Sequence, residues 1–133
     1  MRGDNKLTVF ASGNGDTILL EAHQRSILTD IHYRRDQAED SENDRVPDFA
    51  PDIRATCPDH HLHVQVCTHL DKDHVGGWSE IFHCGRPEDW VAKPKDGEPK
   101  IIADEIWCTP YAVNPHYVTD QAKPLHDEIW RRN

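Results

Sequence analysis

Short apolar runs, each stopped by a turn signal, mark the first part of the chain. Leu7–Ala11 reads as a strand. Ser12-Gly13-Asn14-Gly15 reads as a turn, with Asn-Gly its strongest element. Asp16–Ala22 predicts a second strand, His23-Gln24-Arg25 a tight connection, and Ser26–Ile31 a third strand with Asp30 near its end. Together they predict an antiparallel meander. The nearly continuous runs Ile18–Leu20 and Ile27–Leu28 predict burial on both faces. Further on, His63–Thr68 alternates and is β-branched, which predicts another strand. Gly76-Gly77 permits close packing as a helix begins, and Trp78–His83 is expected to continue that helix. Gly85–Lys100 reads as a loop, and Ile101-Ile102 and Glu105–Cys108 as strand-like pieces. Thr119–Arg132 is the best helix, capped by Thr119 or Asp120 and ending in Arg131-Arg132. Pro124 is tolerated only near its first turn. The expected class is α/β in the α+β sense: one domain, 1–133, with a mixed sheet, an antiparallel N-terminal meander and flanking helices.

Composition narrows this picture. The 133 residues carry 24 acidic and 15 basic side chains, a formal charge of −9. Such a surface disfavours passive electrostatic binding to long nucleic acid. Leu, Ile, Val and Phe make up about a fifth of the chain, enough for a thin core only. Residues 36–52 hold seven acidic residues and one basic, with Pro47 and Pro51, and read as an acidic loop with a helical turn near Pro51–Ala55. No apolar stretch is long enough to span a bilayer, and no basic-then-apolar signal opens the chain. The four cysteines (57, 67, 84 and 108) contain no Cys-x-x-Cys pair. Reduced thiols and a cytoplasmic location are therefore expected, with no membrane partner.

The chemistry concentrates in Thr68-His69-Leu70-Asp71-Lys72-Asp73-His74-Val75-Gly76-Gly77. Four ligand-type residues fall within six positions, just past a strand. Alternate residues of extended chain point the same way, so His69 and Asp71 can share one cation. The turn into the helix then lets Asp73 and His74 aim at a second point nearby. Imidazoles and carboxylates together suit a pair of divalent cations. Capping a helix would need one such side chain, not four.

This string resembles the metallo-β-lactamase-fold hydrolases, whose loop signature is His-x-His-x-Asp-His after a buried strand. Asp71 stands where the second histidine would be. The variant Thr/Ser-His-x-Asp-x-Asp-His-x-Gly-Gly is similar to the hydrolase domain of ComEC-type competence proteins and related bacterial proteins. Gly15-Asp16-Thr17-Ile18-Leu19-Leu20-Glu21 resembles the Gly-Asp strand of that subgroup, and Leu28-Thr29-Asp30 the strand end that places an aspartate behind the metal site. Glu105–Pro110 resembles the strand after the motif helix. The resemblance implies that His69 and Asp71 bind one metal, that Asp73 and His74 bind a second, and that Asp30 orients the loop. It implies metal-assisted hydrolysis of a small-molecule or nucleotide substrate, with a phosphodiester favoured: two cations activate a water, the hydroxide attacks, and Asp73 acts as the catalytic residue that orients it. Zinc is the first expectation, and the carboxylate of Asp71 moves the preference towards manganese or iron.

The family fold is an αββα sandwich of two halves and is longer than this chain. Its later half supplies a Gly-Asp strand end and a His-His-Gly-Ser-like loop, and neither occurs after Arg86. The expected fold is therefore the N-terminal half of that sandwich. Enzymatic activity is expected if further sequence, a partner chain or self-association completes the site. His116, in Val113-Asn114-Pro115-His116-Tyr117, is the local candidate for an extra ligand. The alternative function is a non-catalytic metal-binding or assembly module completed by a partner. Cys57-Pro58-Asp59-His60-His61-Leu62-His63 lacks paired ligand spacing and reads as a loop entering a strand rather than as a zinc site. His126 is expected in solvent, and His83 near carbonyls at a helix end. The four tryptophans are expected in core or interface packing.

Overall fold

The computed structural model describes residues 4–11, 16–33, 48–114, 116 and 118–133. Five strands lie in sequence order in one sheet: β1 (Lys6–Val9), β2 (Ile18–Ala22), β3 (Arg25–Thr29), β4 (His61–Cys67) and β5 (Ile102–Cys108). β2 and β3 meet through His23 and Gln24, both at positive φ (51° and 64°), the handedness a two-residue hairpin requires. β1–β2 and β2–β3 are antiparallel, whereas β3–β4 and β4–β5 are parallel. The parallel pairs need long crossovers. The first contains helix α1 (Ala50–Ala55); the second contains α2 (Lys72–Val75) and α3 (Trp78–Ile81). A last helix, α4, spans Lys123–Arg132. The fold is thus α+β with a mixed sheet. Among the described residues no helix is long and apolar enough to cross a membrane.

Cross-strand register sorts the sheet into two faces. One aligned row runs Val9–Ile18–Thr29–Val66–Trp107 and the next Leu7–Leu20–Ile27–Val64–Glu105. On this side Leu7, Val9, Leu20 and Trp107 are exposed. The alternate residues Leu19, Leu28, Gln65 and Cys67 are buried. Burial of the meander on both faces is therefore not found: Leu20 is 38 % exposed. The core joins these buried strand residues to Phe49 and Ile53 around α1, to Val75, Trp78 and Ile81 of the second crossover, and to Leu125 and Ile129 of α4. Trp78, 1 % exposed, donates its indole N–H to the buried Gln65 Oε1 at 3.3 Å. That bond gives the one buried polar side chain of β4 a partner.

Several expected boundaries shift for identifiable reasons. The single motif helix is two short helices, because Gly77 at φ 72° breaks the backbone between them. A Cβ there would stand 2.1 Å from the Tyr33 carbonyl oxygen, so the loop after β3 and this turn meet where only glycine fits. Ile101 pairs with Phe82 in an isolated bridge, and β5 then runs unbroken through Ala103 and Asp104. α4 begins at Lys123, with Pro124 in its first turn; Thr119 instead holds the preceding turn, its Oγ1 accepting from Ala122 N at 3.3 Å. Of the acidic segment 36–52, residues 36–47 lie outside the described residues, as does the Ser12–Gly15 turn. Asp48 Oδ1 accepts from Ala50 N (3.1 Å) and leads into α1, whose first turn holds Pro51 and Asp52.

Candidate metal centre

β3, β4 and β5 are parallel, so their carboxyl ends share one edge of the sheet. Open sheets with parallel strands bind ligands at that edge. Here β3 ends in Asp30 and β4 runs into Thr68 and His69. Asp30 N donates to Val66 O (2.8 Å), and the chain then turns sharply, with Asp30 at φ 53°. An aspartate tolerates this left-handed conformation better than most residues, though at some cost in strain. Ile31 N donates to His74 O (2.9 Å) and Tyr33 N to Gly76 O (2.8 Å). These two bonds clamp the post-β3 segment along the ligand loop.

The buried Asp30 carboxylate organises that loop. Its Oδ1 accepts from Thr68 N at 2.8 Å; its Oδ2 accepts from the Thr68 hydroxyl at 2.6 Å and from His74 Nδ1 at 2.9 Å. With Nδ1 so engaged, His74 turns Nε2 towards Asp73, whose Oδ2 lies 3.3 Å away. The rings of His69 and His74 lie side by side, centroids 3.6 Å apart. His69, Asp73 and His74 thereby each offer a ligand atom, and the three atoms lie within 4.8 Å of one another.

Two imidazoles and a carboxylate are the donor set of a zinc site with an open position, and equally of a two-histidine, one-carboxylate iron site. Bonds of about 2.0–2.1 Å to a tetrahedral ion place donors about 3.4 Å apart. The three side chains would close on an ion by moving less than about an ångström each, so the residues fit a divalent cation.

Asp71 takes a different place. Its Oδ2 stands 3.3 Å from His69 Nε2, but its side chain is 75 % exposed and it stands outside the three-residue group. Sequence spacing divides the four donors between two ions; the structure gathers three of them around one point and leaves Asp71 at the rim. A second group, not foreseen, joins Asp16 to Asp30 and His74. Asp16 Oδ2 lies 3.7 Å from His74 Nδ1, and Asp16 N donates to Asp73 O at 3.2 Å. Its position after Gly15 in the Gly-Asp strand was the available signal. His116 is exposed and, among the described residues, stands outside both groups; its backbone N–H donates to Asn114 Oδ1 at 3.0 Å.

The other chemistry-bearing residues are dispersed. His61 Nδ1 pairs with Asp104, His63 Nδ1 lies against Ser26, and the ring of His60 packs on Trp90. His83 Nε2 lies 2.8 Å from Arg86 O, a carbonyl of the loop after α3 rather than one at the helix end. His126 is not in solvent: its side chain is 12 % exposed and its Nε2 accepts from the Trp130 indole at 2.9 Å. Cys67, next to the site, is not a ready thiolate. Burial, then the nearby Asp30 and Cys108, pushes its thiol up to about 12. No protein-family model, no curated protein and no solved structure matches this chain.

Proposed function

We propose that the chain is a divalent-metal-binding module of a metal-dependent hydrolase, with His69, Asp73 and His74 as ligands and Asp30 as the carboxylate behind them. The observation that carries this is the convergence of those three donors within 4.8 Å at the carboxyl end of a parallel strand. A divalent cation held there, zinc first and manganese or iron next, supplies Lewis acidity and an activated water. The chain's own residues do the rest. Asp30 fixes the orientation of His74, Asp73 adds the anionic donor and orients the attacking water, and Asp71 at the rim is within reach of a second cation or of substrate. The resemblance of the ligand loop favours a phosphodiester of a nucleotide or nucleic acid. The −9 charge favours a small substrate over a long duplex. A partner chain or a second copy completes the ligand set; the exposed Leu7, Val9, Leu20 and Trp107 on one sheet face support an added layer.

The test is metal binding with hydrolysis of bis-p-nitrophenyl phosphate. Binding and turnover that both vanish in Asp73→Ala are the expected result. Binding without turnover, once the partner or second copy is present, favours the alternative of a non-catalytic metal-binding or assembly module. Failure to bind zinc, manganese or iron overturns the metal-dependent hydrolase and leaves the assembly module.

A further inference from the structure

We propose that Thr68 is a positioning residue whose hydroxyl relays the Asp30 carboxylate to His69, fixing that imidazole with Nδ1 protonated and Nε2 free. The proposal rests on the metal-binding reading for its purpose, though not for its test. Asp30 Oδ2 can only accept, so the Thr68 hydroxyl, 2.6 Å away, must donate to it. A hydroxyl has one proton. The second contact of the same oxygen, 3.0 Å to His69 Nδ1, must then be one in which Thr68 accepts and the imidazole donates. The neutral ring then carries its lone pair on Nε2, so the 3.3 Å approach of Asp71 Oδ2 to that nitrogen is not a hydrogen bond. The contact through Thr68 to buried Asp30 must outweigh the pull of this exposed carboxylate on an Nε2 proton.

Asp30 makes the same choice for His74 directly, through Nδ1 at 2.9 Å. One buried carboxylate therefore sets both imidazoles: His74 by contact and His69 through a hydroxyl. Thr68 N, bonded to Oδ1 at 2.8 Å, holds the Thr68 backbone beside the carboxylate and so keeps the hydroxyl within reach of Oδ2. Metal-ligating histidines are commonly oriented by such outer partners, and loss of one costs about 10–100-fold in affinity.

The direct test reads the tautomer in metal-free protein. Long-range proton–nitrogen spectra of 15N-labelled chain are recorded with chelator present at about pH 8.5, some two units above the ordinary imidazole pKa. The expected His69 signal is a protonated Nδ1 and an unprotonated Nε2. Thr68→Val keeps the shape and removes the hydroxyl, and it should let the Nε2–H form appear; Thr68→Ser should restore the wild-type pattern. Zinc affinity should fall about 10–100-fold in Thr68→Val and recover in Thr68→Ser. A wild-type His69 protonated at Nε2, or a tautomer unchanged by Thr68→Val, overturns the relay. If the valine variant does not fold, the wild-type spectrum alone decides. The expected tautomer in a chain that binds no zinc supports the relay and overturns the metal reading instead.

Discussion

A carboxylate buried to 2 % exposure is costly unless its oxygens find donors. Asp30 finds three, and each belongs to the ligand loop: Thr68 N, Thr68 Oγ1 and His74 Nδ1. Asp30→Asn would place an amide N–H against one of these donors. We expect a loss of about 1–3 kcal/mol in stability and about 10–100-fold in zinc affinity, measured by urea denaturation and calorimetry; unchanged values for both would remove Asp30 from the site. The string from His69 to His74 showed in sequence because donor spacing is a local property. The role of Thr68 did not, although it opens the same string. Its function depends on a residue 38 positions away, brought near by the parallel pairing of β3 with β4. Asp16 escaped for the same reason.

Among the elements, the meander and β4 were legible because alternation and turn residues are local signals. β5 read as two pieces because Ala103 and Asp104 interrupt its apolar run; pairing with β4 supplies what the side chains do not. The continuous motif helix failed at Gly77, where a tertiary contact decides the backbone. Gly77→Ala forces a Cβ against the Tyr33 carbonyl and a non-glycine residue to φ 72°. It should cost more than about 1 kcal/mol, seen as a lower denaturation midpoint. It should also weaken zinc binding, since the two clamping bonds join residues 31–33 to His74 and Gly76. A neutral substitution would show that the clamp is dispensable.

α4 carries a separate device. Its apolar residues Leu125 and Ile129 face the core, and buried Glu128 sits between them. Burial alone would raise the carboxyl, but hydrogen bonds from Arg131, Arg132 and Gly85 N hold it down at about 2. A carboxyl whose folded pKa lies below its unfolded value of about 4.3 stabilises fully above that value. The contribution, of order 2 kcal/mol, should fade as pH falls from about 4.5 towards 2. Glu128→Gln should lower stability at neutral pH and flatten the acid limb of stability against pH; an unaltered acid limb would contradict this role.

At the scale of the molecule, one sheet face is packed and the other offers Leu7, Val9, Leu20 and Trp107 to solvent. The sequence hid this asymmetry, because apolar runs in β2 and β3 look alike whichever way their side chains point. The two faces should respond differently to truncation. Trp78→Ala removes a side chain 1 % exposed and should cost about 3–5 kcal/mol. Trp107→Ser, at a residue 52 % exposed, should stay within about 0.5 kcal/mol. Thermal melts of the two variants separate these cases, and a large loss in Trp107→Ser would mean that this face is covered in solution. Among the described residues, the groups of metal-type donors gather at the carboxyl edge of the parallel strands.

The most direct measurement is a cobalt(II) titration of the metal-free chain, followed by visible absorption, in wild type and in the Asp73→Ala and Asp71→Ala variants. We predict that the wild type binds at least one ion per chain with a ligand-field spectrum, that Asp73→Ala loses it, and that Asp71→Ala retains it with a smaller loss of affinity. A wild type that binds no cobalt, or an Asp73→Ala variant that binds it as well as wild type does, would contradict the metal centre.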